Sequence, residues 1–175
     1  MTHGPQALRP DEDRSWLLLM GLVLWLPAEL DKRLASLAHV SHVEFLVLRW
    51  LTHSTDRAIH MSSLANAISV TPSHLTRIVS RLEKRSLVTR TPDPDDGRFT
   101  LVRLADDGAR LVAGTEAAYD AAVRDLLFDK LEEHHIPALD EITTRVLAHL
   151  SPGCVAAVSA QVTPGATPAG ATTGP

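Results

Sequence analysis

Aromatic residues make up only 4% of the 175-residue chain, so a core must come chiefly from Leu, Val, Ile and Ala, a composition that suits packed helices. A single cysteine, Cys154, excludes an intrachain disulfide framework. No apolar run is long enough for a membrane: the densest, Trp16 to Leu26, has eleven residues, and a span needs roughly 20. The opening stretch MTHGPQALRPDEDR is polar and acidic, without a secretory pattern, and a cytoplasmic location is expected. Ser-His-Asp spacing, a phosphate loop and a paired-carboxylate motif are all missing, so neither an enzyme nor a cofactor is expected. The histidines at His39, His42, His134, His135 and His149, with Glu44, lack the cysteines or helical His-x-x-x-His spacing of a zinc site, and no metal is expected. What remains, 45% hydrophobic and 22% charged, is the composition of a globular domain.

Positive charge is also in deficit, with 17 Lys/Arg against 21 Asp/Glu and a net charge of −4. Its distribution is uneven. Between His74 and Arg103 there are seven Lys/Arg against four acids, which leaves ten against seventeen elsewhere. A basic segment on an acidic body suits one face docking on phosphates.

The periodicity gives an order of elements. Residues 1–13 read as a flexible arm. A helical pattern follows from Arg14 to about Ala38, apolar on almost every side at first, with Pro27 expected to kink or split it. Ser41 to Glu44 has the form of a capping box and opens a helix that ends near His53. Ala58 to His60 reads as a short strand and Ser62 to Ile68 as a short helix. Thr71-Pro72 is a capping hydroxyl followed by a first-turn proline. From it a helix should run to about Arg85 with Leu75, Ile78, Val79 and Leu82 inward. Leu87–Thr91 and Phe99–Leu104 flank the turn cluster Pro92 to Gly97 and form a two-stranded hairpin, a wing. A long helix from Asp106 to about His134 and a last one from about Ala138 to Leu150 complete the pattern. Residues 151–175, rich in Ala, Gly, Thr and Pro, read as a disordered tail.

Two short helices and a hairpin between long helices make a winged helix-turn-helix: a mainly α fold with a small β-wing. Over residues 14–150 the sequence resembles the MarR family of bacterial regulators, best in MSSLANAISVTPSHLTRIVSRLEKRSLVTRTPDPDDGRFTLVRLADDG, Met61 to Gly108. Asp96-Gly97-Arg98 sits where that family carries an Asp-x-Arg wing signature. Gly97 replaces the basic residue common there, and Ser69 stands where many relatives have glycine in a turn that can require a left-handed backbone. The resemblance implies a DNA-binding lobe at about 40–104 and dimerisation helices at about 14–38 and 106–150.

The residues that would meet DNA can be read physically. A helix fits the major groove, and its outward side chains must reach base edges. On the helix from Thr71 the outward positions are Ser73, His74, Thr76, Arg77, Ser80 and Arg81. Arg77 can pair with guanine, or both arginines can hold phosphates. Arg98 at the wing tip can enter the minor groove, and Asp96 can hold either Arg98 or Arg90 in place. The expected DNA-contacting set is Ser73, His74, Thr76, Arg77, Arg81, Arg90, Asp96 and Arg98.

The terminal helices are too apolar for a monomer, and the resemblance implies a homodimer on a palindromic double-stranded operator. It also implies a repressor relieved by a small aromatic or amphipathic effector, with Trp16, Met20, Trp25, His42 and Trp50 as candidate pocket residues. An alternative is a winged-helix protein-interaction module without DNA binding, supported only by Gly97 and the negative net charge. Cys154, in the expected tail, is not expected to act as a sensing thiol.

Overall fold

The computed structural model describes residues 7–162. Helix α1 spans Pro10–Ala38 and begins earlier than the sequence suggests. Pro10 takes the first helical position, Asp11, Glu12 and Asp13 fill the first turn, and the Glu12 carboxylate accepts from the Arg9 N–H at 2.8 Å. These are favourable N-terminal groups, so the expected arm is helical from Pro10; residues 1–6 lie outside the described residues. Pro27 does not split α1, because it removes only its own hydrogen bond from an otherwise continuous ladder. No helix among the described residues is long and apolar enough to cross a membrane.

Helix α2, His42–Thr52, starts on the expected capping box: Ser41 Oγ accepts from Glu44 N–H, and Glu44 accepts from Ser41 N–H at 2.9 Å. A 3-10 turn at Thr55–Arg57 leads to strand β1, Ala58–His60, and then helix α3, Met61–Ala67. Helix α4, Pro72–Lys84, is capped by Thr71 as expected. Both short helices end alike. Val70 N–H bonds Ala65 C=O and Ser69 N–H bonds Asn66 C=O; after α4, Leu87 bonds Leu82 and Ser86 bonds Glu83. This is the Schellman pattern, which places the residue after the cap in the left-handed region. Ser69 (φ 55°) and Ser86 (φ 58°) occupy that position, where glycine has no steric cost.

Strands β2, Val88–Pro92, and β3, Thr100–Leu104, form the wing, in register from Val88 opposite Leu104 to Pro92 opposite Thr100. The expected two-stranded hairpin gains a third strand: β1 pairs antiparallel with β3, so the order is β1-β3-β2. Helix α5, Asp106–Leu126, stops short of the expected His134. Leu126, Leu127 and Phe128 are consecutive apolar residues that one helix face cannot bury together. A 3-10 turn at Phe128–Lys130 leaves all three half-buried. Helix α6, His135–Leu150, holds Pro137 in its first turn, where no N–H is required.

The expectation of a wholly disordered tail is overturned. Pro152–Val162 forms helix α7, which packs on α3. Proline at the first position and an alanine-rich body favour a helix, and the lack of charge that suggested disorder instead suits contact with the lobe. Cys154 is buried there, its Sγ 3.8 Å from the Ala67 carbonyl oxygen. The rest of that tail lies outside the described residues.

Phe45, Leu48 and Leu51 of α2, Leu64 of α3 and the α4 stripe are fully buried, with Val88 and Val102 of the sheet beneath them. Helix α5 closes this core through Val112 and Tyr119, whose ring lies 4.8 Å from that of Phe45. Gly108 lets α5 approach the wing: a Cβ there would lie 2.2 Å from the Leu87 carbonyl oxygen and 2.8 Å from Leu104 Cδ1.

Gly108→Ala should therefore lower stability by about 1–3 kcal/mol through overpacking. Gly114→Ala, with nothing within 4 Å, should raise it by up to about 1 kcal/mol. Urea denaturation of both variants checks the contrast; equal effects would show that the approach at Gly108 is loose. Ser69→Gly and Ser86→Gly should each stabilise by about 0.5–1 kcal/mol, by relieving left-handed strain. A fall in melting temperature for either would mean that its serine makes a compensating contact.

Candidate nucleic-acid interface

Helix α4 buries Leu75, Ile78, Val79 and Leu82 completely. Its 3.6-residue period then turns Ser73, Thr76, Arg77 and Arg81 to solvent, with His74 and Ser80 half-buried. Thr71 Oγ1 accepts from His74 N–H at 3.3 Å, and Thr76 Oγ1 donates to Pro72 C=O at 2.9 Å. Ser73, Thr76 and Arg77 therefore share one exposed stretch at the start of the helix.

The wing tip is organised by two carboxylates. Asp93 Oδ1 accepts from the N–H groups of Asp95 (2.7 Å) and Asp96 (3.3 Å), and Asp93 Oδ2 pairs closely with His60 Nε2. The His60 bond, then the turn N–H groups, hold the Asp93 carboxyl below its usual range. Asp96 grips Arg98 through Nε at 2.9 Å, Nη2 at 2.6 Å and the backbone N–H at 3.1 Å. Of the two partners open to Asp96, the structure selects Arg98. Arg90 instead pairs with Glu83 of α4, at 3.1 and 2.5 Å. The Arg98 side chain still stands 85% exposed.

Between α4, the start of α3 and the wing lies a groove of about 400 Å³, lined among others by Thr76, Arg90, Arg98 and Phe99. It brings Thr76 of the expected DNA-contacting set within reach of Arg90 and Arg98 from another element. Ser62 and His60 also line it. Neither was singled out from sequence, because only the fold brings the β1–α3 junction beside the wing. Asp93 had a legible signal, since it heads a Pro-Asp-Pro-Asp-Asp cluster in which Asp commonly accepts turn N–H groups.

The cations divide into two kinds. Among the described residues Arg77 and Lys84 have no hydrogen-bond or ion-pair partner. Others hold the lobe together: Arg81 Nε donates to Glu44 at 2.7 Å, Arg85 to the His39 carbonyl at 2.8 Å, and Arg103 to the Asp56 carbonyl at 2.8 Å. Burial alone would raise the Glu44 carboxyl, but the Ser41 N–H and the Arg81 guanidinium outweigh it and hold it below its ordinary value. Arg81, expected on DNA, thus pairs with Glu44 and bridges α4 to the capping box of α2 while its side chain stays half exposed.

The candidate effector residues lie on α1 and at the two ends of α2. Trp16 and Trp25 are 50% and 69% exposed on the apolar face of α1, and Met20 is half-buried. His42 stacks on Tyr119 at 5.8 Å and shares a 3.1 Å hydrogen bond with its hydroxyl. Burial lowers the His42 pKa and raises that of Tyr119. Trp50 lines a separate cavity at the far end of α2, beside α7. Helical wheels cannot show this divergence, because they carry no information on which neighbour covers which face.

The geometry agrees with known proteins. Residues 40–100 match the model of the MarR family. The HTH-type transcriptional regulator PecS of Dickeya dadantii is 30% identical over 137 residues, 75% of this chain and 82% of PecS. The uncharacterized HTH-type transcriptional regulator YhbI of Bacillus subtilis is 30% identical over 94 residues, 54% of this chain, and the chain spans only 60% of that relative's length. Among solved structures, Sco3205 of Streptomyces coelicolor, a MarR family transcriptional regulator in complex with DNA, superimposes with a TM-score of 0.82 at 31% identity. That match covers 86% of this chain and 94% of the other.

Glu44→Gln tests the Arg81 bridge. A lowered folded-state pKa contributes stability above the unfolded value, near 4.5, and loses it as pH falls through the folded value. The variant should be less stable by about 1–2 kcal/mol at pH 7, and the gap to the parent should close as pH falls below about 4.5. Urea midpoints across pH 3–7 measure it, and a gap that is constant with pH would mean that the charge of Glu44 contributes nothing.

Proposed function

The chain belongs to the MarR family of DNA-binding transcriptional regulators, proteins that are not enzymes, and from that premise we propose that it is a sequence-specific repressor, acting as a homodimer on a palindromic operator and released by a small-molecule effector. The observation that carries DNA recognition is the groove that sets Thr76 of α4 opposite Arg90 and Arg98 of the wing. A duplex fits this arrangement with α4 in the major groove and the wing at the adjacent minor groove. Ser73, His74, Thr76 and Arg77 are the proposed base and phosphate contacts of α4. Arg98, oriented by Asp96, is the proposed minor-groove contact, and Arg90 a phosphate contact. Arg81 is proposed to act through its hold on α2.

The homodimer is supported by the terminal helices. Trp16, Leu17, Leu18, Leu24 and Trp25 of α1 are each at least half exposed, as are Ile142, Val146 and Leu150 at four-residue spacing on α6. Exposed apolar side chains in this number on two helices mark an interface. Release by an effector needs a connection from that interface to α4. Arg85 supplies one at the end of α1 and Arg81 another at the start of α2. A ligand that prefers one setting of these helices would shift the dimer between spacings that do and do not fit two half-sites.

Binding to the DNA beside the chain's own gene, followed by fluorescence anisotropy, tests the reading. Affinity should fall by about 10³-fold between about 50 and 200 mM salt for a protein holding several phosphates. Arg98→Ala should weaken binding about tenfold or more while leaving the dimer intact, and Arg77→Ala should relax preference at one or two base pairs. Absence of binding in low salt would overturn the proposal.

A further inference from the structure

Helix α7 does more than cover α3. It forms one wall of an open cleft of about 460 Å³ whose other walls include Trp50 and His53 at the end of α2, Ile59 and His60 of β1, and Ser63 of α3, with Ala157 on the α7 side. The size lies within the range of small-molecule sites, which combine apolar walls with a few convergent polar groups. Leu101, Ile59 and alanines of α3 and α7 make smooth apolar walls beside the Trp50 indole, suited to a flat ring. Among the described residues the lining contains no carboxylate and no Lys or Arg; its polar side chains include two imidazoles and several hydroxyls, which can donate hydrogen bonds.

His60 is the residue that makes this cavity consequential. It lines both this cavity and the groove between α4 and the wing. Its Nε2 pairs with Asp93, and its ring lies 5.7 Å from Phe99 of the wing. Asp93 also accepts the turn N–H groups of Asp95 and Asp96, and Asp96 holds Arg98. One imidazole therefore stands between the cavity and the wing-tip arginine.

We propose that this cavity is an effector site for a one- or two-ring aromatic molecule bearing an oxygen acceptor, carboxylate or phenolic, and that the ligand acts by drawing His60 away from Asp93. Loss of that bond loosens the wing turn and the placement of Arg98, so the ligand-bound protein holds DNA less tightly. The inference rests on the DNA-binding reading for its output but not for its site.

Calorimetric titration of 2-naphthoate and 2-naphthol into the full chain tests the site directly. At least one should bind, and each of Ala157→Trp and Ser63→Trp, which fill the cavity from opposite walls, should weaken that binding by more than about tenfold while keeping helical circular dichroism. Both filled variants should bind operator DNA within about threefold of the parent, since neither position lines the groove between α4 and the wing. The bound probe should weaken operator binding by about tenfold or more in the parent and by less than about twofold in the filled variants. Asp93→Asn should still bind the probe but lose most of its effect on DNA. The proposal is overturned if neither probe binds, if both filled variants bind it as the parent does, or if a bound probe leaves DNA affinity unchanged. An Asp93→Asn protein that responds like the parent overturns the His60 relay. A parent that binds no DNA in low salt strikes the repressor reading instead, and calorimetry on the filled variants still decides the site.

Discussion

Four apolar side chains on α4 govern what the rest of the molecule can do. Leu75, Ile78, Val79 and Leu82 are fully withdrawn from water, and each such side chain contributes about 1.5–3 kcal/mol when buried. Rotating α4 by half a turn would expose that stripe and bury Thr76 and Arg77, so burial alone fixes which residues face outward. Two ion pairs and a hydrogen bond then refine a rotation that packing has already chosen. Arg81 ties α4 to α2, Arg85 ties its end to α1, and Glu83 ties it to the wing through Arg90. The helix that is proposed to read DNA is thereby anchored to α2, to the end of α1 and to the wing.

The parts of this arrangement that are local were legible in the residues. The capping box at Ser41–Glu44, the Thr71-Pro72 start, the α4 stripe and the wing turn each depend on neighbours within four positions, and a period or a cap reports such neighbours directly. Ser69 was legible through its departure from a glycine pattern, and its φ of 55° agrees. Ser86 performs the same service after α4 and carried no comparable signal. Partnerships between distant residues were not legible. Nothing in the spacing from Glu44 to Arg81, or from His60 to Asp93, distinguishes a bonded pair from two solvated charges.

Helix α7 shows a different limit. Composition judged residues 151–175 by their lack of charge and periodicity, which are measures of whether a segment can form a core by itself. The segment Pro152–Val162 does not need to, because α3 supplies the surface it packs against. Alanine adds little side-chain entropy cost and little bulk, so a weakly amphipathic helix can lie close to a neighbour. The same smallness leaves space beside Trp50 rather than filling it, and the cavity follows from that choice of residue.

The acidic groups in the basic segment also change meaning once placed. Read as a sum, Glu83, Asp93 and Asp96 dilute the positive footprint. In space, Asp96 and Glu83 hold Arg98 and Arg90 in defined orientations at the mouth of the groove. An exposed ion pair of this kind contributes little to stability, because water and salt screen it. It therefore resists exchange only weakly. A guanidinium has five donors in a fixed plane, and Arg98 uses Nε, Nη2 and its backbone N–H on one carboxylate while most of its side chain faces solvent. It can present remaining N–H groups to the floor of a minor groove without leaving Asp96. Gly97, which lacks the positive charge common at that place, adds no side chain between the two residues and nothing within 4 Å of its own Cβ position. The wing gives up one charge there and keeps an unobstructed approach for the arginine that remains.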